Sequence, residues 1–183
     1  MLRRAISSAS ARIAPACDAR PSEDDRYTQT AFTRAAYTSH VDWFERAFSE
    51  LTLDQLYAII SLRERVFVVE QKCAYLDADG LDPQCRHLWA ATDHIVAYLR
   101  FIPAGVKYPE AAIGRVIVAH EARGSGLGKE LMKRGLAMAG AAPVRLGAQA
   151  HLERFYGELG FRRVSDVYDE DGIPHVEMLR DSW

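Results

Sequence analysis

The sequence is poor in cysteine. Cys17, Cys73 and Cys85 are the only three in 183 residues, an odd number with no CxxC spacing. That excludes a disulfide-stapled scaffold and a thiolate zinc cluster. The thiols read as free in a reducing, cytoplasmic compartment, with a Cys73–Cys85 bridge as the alternative. Charge of one sign is also lacking, since 23 Lys and Arg face 25 Asp and Glu for a net −2. No electrostatic basis for a nucleic-acid partner exists. No apolar run reaches the roughly 18 residues a membrane span needs. The six histidines include no HxxH or HExxH pair. Asp77-x-Asp79-Gly80-x-Asp82 departs from a calcium loop, because its glycine comes too early and Leu81 sits at a ligand position. No metal is expected.

Apolar residues make up 49% of the chain, enough for one full core. Residues 1–39 stand apart. Arg3, Arg4 and Arg12 lie among Ser and Ala with no acid before Asp18. This is the composition of a disordered leader or of an organellar transit peptide, which would move the protein to the mitochondrial matrix. The folded domain is expected over 40–183.

Within it, Val41, Trp43 and Phe44 suggest a strand over 40–48. Thr52 and Gln55 form a capping-box pattern ahead of an amphipathic helix over 53–68, with Leu56, Ile60, Arg63 and Phe67 on its stripe. Residues 72–85 read as loop. Residues 87–91 and 95–102 read as a hairpin turning at 92–94. An apolar strand over 112–119 precedes a helix over 127–139, and 144–148 is another buried strand. A short helix over 150–159 closes on Gly160, and 161–168 pairs with 173–179 around Asp171-Gly172. The class is mixed α/β (α+β).

Arg123-Gly-Ser-Gly-Leu-Gly128 lies between the 112–119 strand and the 127–139 helix. Glycines let the backbone turn tightly and approach a ligand, and a helix start presents free N–H groups to an anion. A P-loop reading fails at Arg123 and Glu130, where glycine and Ser/Thr are required. A dinucleotide fingerprint fails at Lys129 or Leu131, where the third glycine should stand.

The remaining pattern, Arg123-x-x-Gly126-x-Gly128, resembles motif A of the GCN5-related N-acetyltransferases (GNAT). Gln149 to Phe161, with Tyr156 and Gly160-Phe161, resembles motif B of the same family. Arg63-x-x-Val66-Phe67-Val68-Val69-Glu70-Gln71, Asp77-x-Asp79-Gly80 with Arg86-His87-Leu88, Leu146–His151 and Glu170–His175 are similar to its ElaA-like branch. The resemblance implies a mostly antiparallel central sheet flanked by helices, with a V-shaped splay between the strands of the two motifs. It also implies acetyl-CoA as co-substrate. Coenzyme A would lie on the backbone of Val116, Ile117 and Val118, on Arg123, Gly124, Ser125, Gly126, Leu127, Gly128 and Lys129, and on Gln149. Lys133 and Arg134 would add positive charge. Tyr156 would protonate the departing thiolate, which a hydrogen-bonding phenol does without prior ionisation.

An amine acceptor of pKa near 10.4 lies roughly 4.6 kcal/mol from its neutral form at pH 7, so the site needs a base. Glu70, at the end of the first helix, is the first candidate and His151 the second. His151 lies five residues from Tyr156, about 140° around a helix. Asp79, His87, Arg115 and His175 are candidates for holding the acceptor. Arg115 stands on an apolar strand, so it pairs with Glu70 or Asp79 or holds a substrate carboxylate. The expected acceptor is a small-molecule or peptide amine, and the expected assembly is a monomer or homodimer. Two alternatives are acyl transfer like that of acyl-homoserine lactone synthases and a non-catalytic acyl-CoA-binding module.

Overall fold

The computed structural model describes residues 41–182, so the leader expected over 1–39 lies outside the described residues. An eight-stranded sheet organises them. Its strands are β1 (Asp42–Ala47), β2 (Arg86–Ala91), β3 (Ile95–Ile102), β4 (Ala111–Val118), β5 (Val144–Gln149), β6 (Arg162–Arg163), β7 (Tyr168–Glu170) and β8 (Ile173–Arg180). The order is β1-β2-β3-β4-β5-β8-β6, with β7 also paired to β8. Every pairing is antiparallel except β4 with β5.

Side chains alternate across the sheet and build two main cores, with a smaller cluster of Cys85, Ile102 and Ala112 beside them. Leu99 and Phe101 of β3 enter the core beneath α2 (Leu127–Ala139), with Leu131, Met132, Leu146 and Met178. Each such side chain contributes about 1.5–3 kcal/mol on burial. Tyr98 points the other way, into a core with Ile59 and Leu62 of α1 (Leu53–Arg63) and with Trp89 and Ile117. Thr52 caps α1, accepting from the Gln55 N–H at 3.2 Å while Gln55 accepts from the Thr52 N–H at 3.0 Å.

Three expected elements differ. The helix expected over 53–68 is α-helical only to Arg63 and continues as a π-helical segment, Glu64–Glu70. The Gln71 N–H reaches back to the Val66 carbonyl at 3.0 Å. A π segment turns less per residue, so Glu70 rotates off the buried stripe of Ile59, Leu62, Arg63 and Val66 and becomes exposed. The strand expected over 161–168 is interrupted, because the Ser165 hydroxyl takes the Glu177 N–H at 2.8 Å where a strand partner's carbonyl would stand. The helix expected over 150–159 is a 3₁₀ turn, Ala150–Leu152, followed by α3 (Glu153–Gly157). Gly160 does close it, at φ +89°.

Candidate active site

The site begins where two strands part. β4 and β5 pair only at Ala111–Val144 and Ala112–Arg145, while β5 goes on to pair with β8 along its whole length. Beyond Ala112, the edge of β4 that faces β5 has no strand partner. A bulge bends β4 in this stretch: between the pairs Tyr98–Ile117 and Arg100–Gly114, β4 holds one residue more than β3. Arg115 occupies it in the left-handed region, at φ +53°, unusual for a residue with a long side chain.

Val116, Ile117 and Val118 run from the bulge to the glycine loop. The N-cap of α2 is Gly126, at φ +93°. Gly128 comes close to the strand: a Cβ there would stand 3.3 Å from Val118 Cγ2. The Ser125 hydroxyl accepts from the Leu127 N–H at 3.3 Å and donates to the Ala122 carbonyl at 2.6 Å. The N–H groups of Gly124, Ser125 and Gly126 are not taken up by other described residues. Lys129 is exposed on the first turn of the helix. The loop and helix start therefore present free donors beside an open strand edge, an arrangement suited to an extended amide chain ending in an anion.

Glu70 and Arg123 meet directly. Arg123 donates from Nη1 and Nη2 to the two Glu70 oxygens, at 2.6 and 3.0 Å, and from Nε to the Val118 carbonyl at 3.0 Å. Gln149, at the end of β5, donates to Gln71 at 3.2 Å, so the residue after Glu70 is tied across the splay. Tyr156 is buried, edge-on to Phe155 and Phe161. Its hydroxyl has no hydrogen-bond partner among the described residues, and burial pushes its pKa up to about 12. It is a protonated phenol at neutral pH.

The remaining predicted residues scatter. Arg115 pairs with Asp77 at 2.6 Å and Asp79 at 3.4 Å, not with Glu70. His87 lines no groove: it is fully buried, with Nδ1 2.8 Å from the Tyr98 hydroxyl and Nε2 3.2 Å from the Asp82 carbonyl. The carbonyl can only accept, so Nε2 carries the proton and Tyr98 donates to Nδ1. Burial lowers the His87 pKa and keeps the ring neutral. His151 is exposed in a shallow cleft with Glu153, Arg154, Phe161 and Arg163. His175 faces Gln149 across the β5–β8 ladder, stacks with Tyr168 and has Nδ1 2.8 Å from the Ile173 carbonyl. Arg134 binds Glu130 at 2.8 Å and stacks over Trp43.

The loop before β2 is held by a charge cluster that the sequence reading missed. Arg63 Nε meets Asp77 at 2.6 Å, its Nη1 meets Asp82 at 2.8 Å, and its Nη2 meets the Asp77 carbonyl at 2.9 Å. Arg100 meets Asp79 at 2.6 Å and Asp82 at 2.8 Å. With Arg115, three arginines balance three aspartates. Burial works to raise the Asp79 and Asp82 pKa values, but hydrogen bonds and charge from Arg100 outweigh it, with Arg63 adding to the effect on Asp82. Both carboxyls are held below their ordinary value, Asp79 far below it, which makes Asp79 an anchor and not a base at neutral pH. The available signal was one arginine on each of three otherwise apolar faces, at positions 63, 100 and 115, upstream and downstream of an aspartate-rich loop.

Splayed strands, a glycine loop and a helix start on one side, with a pinned acidic loop on the other, define an acyltransferase of the GNAT class. A family model described as Acetyltransferase (GNAT) domain matches residues 67–181, and the chain belongs to that family. Within it the chain is ElaA-like. It is 44% identical to protein ElaA of Escherichia coli over 149 residues, covering 77% of this chain and 97% of that protein. The crystal structure of E. coli ElaA superimposes with a TM-score of 0.73 at 42% identity, over 77% of this chain and 99% of that one. An acyl-CoA N-acyltransferase from Pseudomonas aeruginosa gives a TM-score of 0.74 at 46% identity, over 76% and 99%. No group of three or more His, Cys, Asp or Glu able to hold a metal occurs among the described residues. No described helix is long and apolar enough to cross a membrane.

Proposed function

We propose that the protein transfers an acetyl group from acetyl-CoA to the nitrogen of a small-molecule or peptide amine by direct attack. The observation that carries this reading is the open edge of β4 at Val116–Val118, running into the free N–H groups of Gly124, Ser125 and Gly126. The pantetheine amides would pair with the strand edge as an added strand does. The diphosphate would lie at the start of α2, where N–H groups and helix dipole favour an anion. The acceptor nitrogen forms the new C–N bond as the C–S bond breaks. Its proton goes to Glu70, directly or through water, and the thiolate takes the proton of the Tyr156 hydroxyl. Tyr156 is protonated at neutral pH and so carries the proton it would give; burial, which pushes its pKa up to about 12, makes it a weaker acid than a free phenol, so it would act first as a hydrogen-bond donor to the developing thiolate. Gln149 and Gln71 would hold the two sides of the splay together across the reacting centre. Among the histidine candidates, His175 sits on the strand register of Gln149, which supports it as an acceptor contact.

The test is incubation with acetyl-CoA and a panel of amines (polyamines, amino acids, aminoglycosides and peptides), read as free thiol. Acceleration by at least one class is expected. Tight acetyl-CoA binding with no acceleration by any amine would instead support a non-catalytic acyl-CoA-binding module.

A further inference from the structure

The contact between Glu70 and Arg123 has a consequence that neither residue has alone. Arg123 belongs to the glycine loop and Glu70 to the segment that borders the acceptor side. Their guanidinium and carboxylate meet with two hydrogen bonds, at 2.6 and 3.0 Å. The third Arg123 contact, Nε to the Val118 carbonyl at 3.0 Å, occupies an acceptor on the strand over which pantetheine would run. One side chain thus covers the donor track and neutralises the first candidate for the base. We infer that Arg123 is a shared positioning residue: it holds Glu70 while the donor site is empty, and turns to the diphosphate when acyl-CoA binds. Glu70 is thereby freed to accept a proton only once the donor is in place. The inference rests on the reading of the glycine loop as an acyl-CoA site.

Physical chemistry favours the exchange. Both partners are about two-fifths exposed, with side chains 41% and 39% accessible, and an exposed ion pair contributes only about 0–1 kcal/mol. A diphosphate offers more negative charge than one carboxylate and matches the planar guanidinium fork equally well. Departure of Arg123 also returns the Val118 carbonyl to the strand edge. Glu70 loses its only ion-pair partner among the described residues in the same movement, and both of its oxygens, now held by Arg123, become available to the acceptor.

The experiment is a double-mutant cycle on binding of coenzyme A itself, followed calorimetrically, with wild type, Glu70→Gln, Arg123→Gln and the double variant. Removing Glu70 removes a competitor for Arg123, so Glu70→Gln is expected to tighten coenzyme A binding about two- to five-fold, while lowering both KM for acetyl-CoA and kcat. Arg123→Gln weakens binding, and adding Glu70→Gln to it changes nothing further. Arg123→Lys restores much of the affinity through its charge, but cannot make the forked bridge, so the Glu70→Gln effect shrinks in that background. Unchanged or weaker binding by Glu70→Gln would overturn the inference. Equal tightening with and without Arg123 would also overturn it, because that is plain charge repulsion with no shared residue. Failure of the wild type to bind coenzyme A would instead overturn the donor-site reading.

Discussion

Replacing Arg63 by Met removes one buried cation and keeps most of the volume of its stem. The side chain is 1% accessible and binds two carboxylates and a carbonyl, at 2.6, 2.8 and 2.9 Å. Its loss leaves three aspartates facing two arginines. Breaking a buried pair from one side costs about 3–5 kcal/mol, because the surviving charge stays out of water. Here each carboxylate retains a second arginine, Arg115 for Asp77 at 2.6 Å and Arg100 for Asp82 at 2.8 Å. The lower end, about 3 kcal/mol, is therefore expected. For a chain of this size that is a fall of about 6–12 °C in Tm. Arg63→Lys keeps the charge but offers one point donor in place of a fork, so its loss lies between wild type and Arg63→Met. Urea titration and thermal melting by circular dichroism at pH 7 measure both. A fall under about 1 kcal/mol for Arg63→Met would refute the assignment of this cluster as the anchor of the 71–85 loop.

The other predictions concern the site and its pH response. Tyr156→Phe lowers kcat by about 10²-fold or more while leaving coenzyme A affinity and Tm nearly unchanged, since the hydroxyl makes no hydrogen bond to other described residues; a Tm loss matching the activity loss would point to packing alone. Gly128→Val drives side-chain carbons against Val118, where even a Cβ stands at 3.3 Å, and should weaken coenzyme A binding at least tenfold in equilibrium dialysis, whereas Gly157→Ala, with nothing within 4 Å, should not. His87 is neutral and buried, so its pKa is lower folded than unfolded. The unfolded chain then binds the extra proton as pH falls below about 6.5, and stability is lost in that direction. Urea titrations between pH 7 and 5 should show a shallower fall for His87→Gln than for wild type, even though the variant is less stable at pH 7.

The donor side was legible because local rules decide it. A capping box with an apolar stripe placed α1, a glycine-spaced turn placed the 123–128 loop and the start of α2, and two apolar runs around the 92–94 turn placed the β2–β3 hairpin. The mostly antiparallel sheet and the β4–β5 splay came only with the family resemblance, and the strand order only with the structure. The acceptor side was less legible because its geometry depends on contacts between segments distant in sequence. The π-helical winding that turns Glu70 outward has no marked local signature. Ser165 interrupts a strand that propensity alone would continue. The sequence leaves Arg115 to pair with Glu70 or Asp79 or to hold a substrate carboxylate, and in the fold, at the bulge, it meets Asp77 and Asp79. Asp77, fourteen residues from Arg63 and thirty-eight from Arg115, joins them only in the folded chain.

The measurement that bears most directly on the central claim is single-turnover release of free coenzyme A from acetyl-CoA, with and without an amine panel, by wild type and Tyr156→Phe. The expected result is amine-dependent release by the wild type, with stoichiometric N-acetylated product, and strongly slowed release by the variant despite equal acetyl-CoA binding. Equal rates for the two proteins, or release that no amine accelerates, would contradict it.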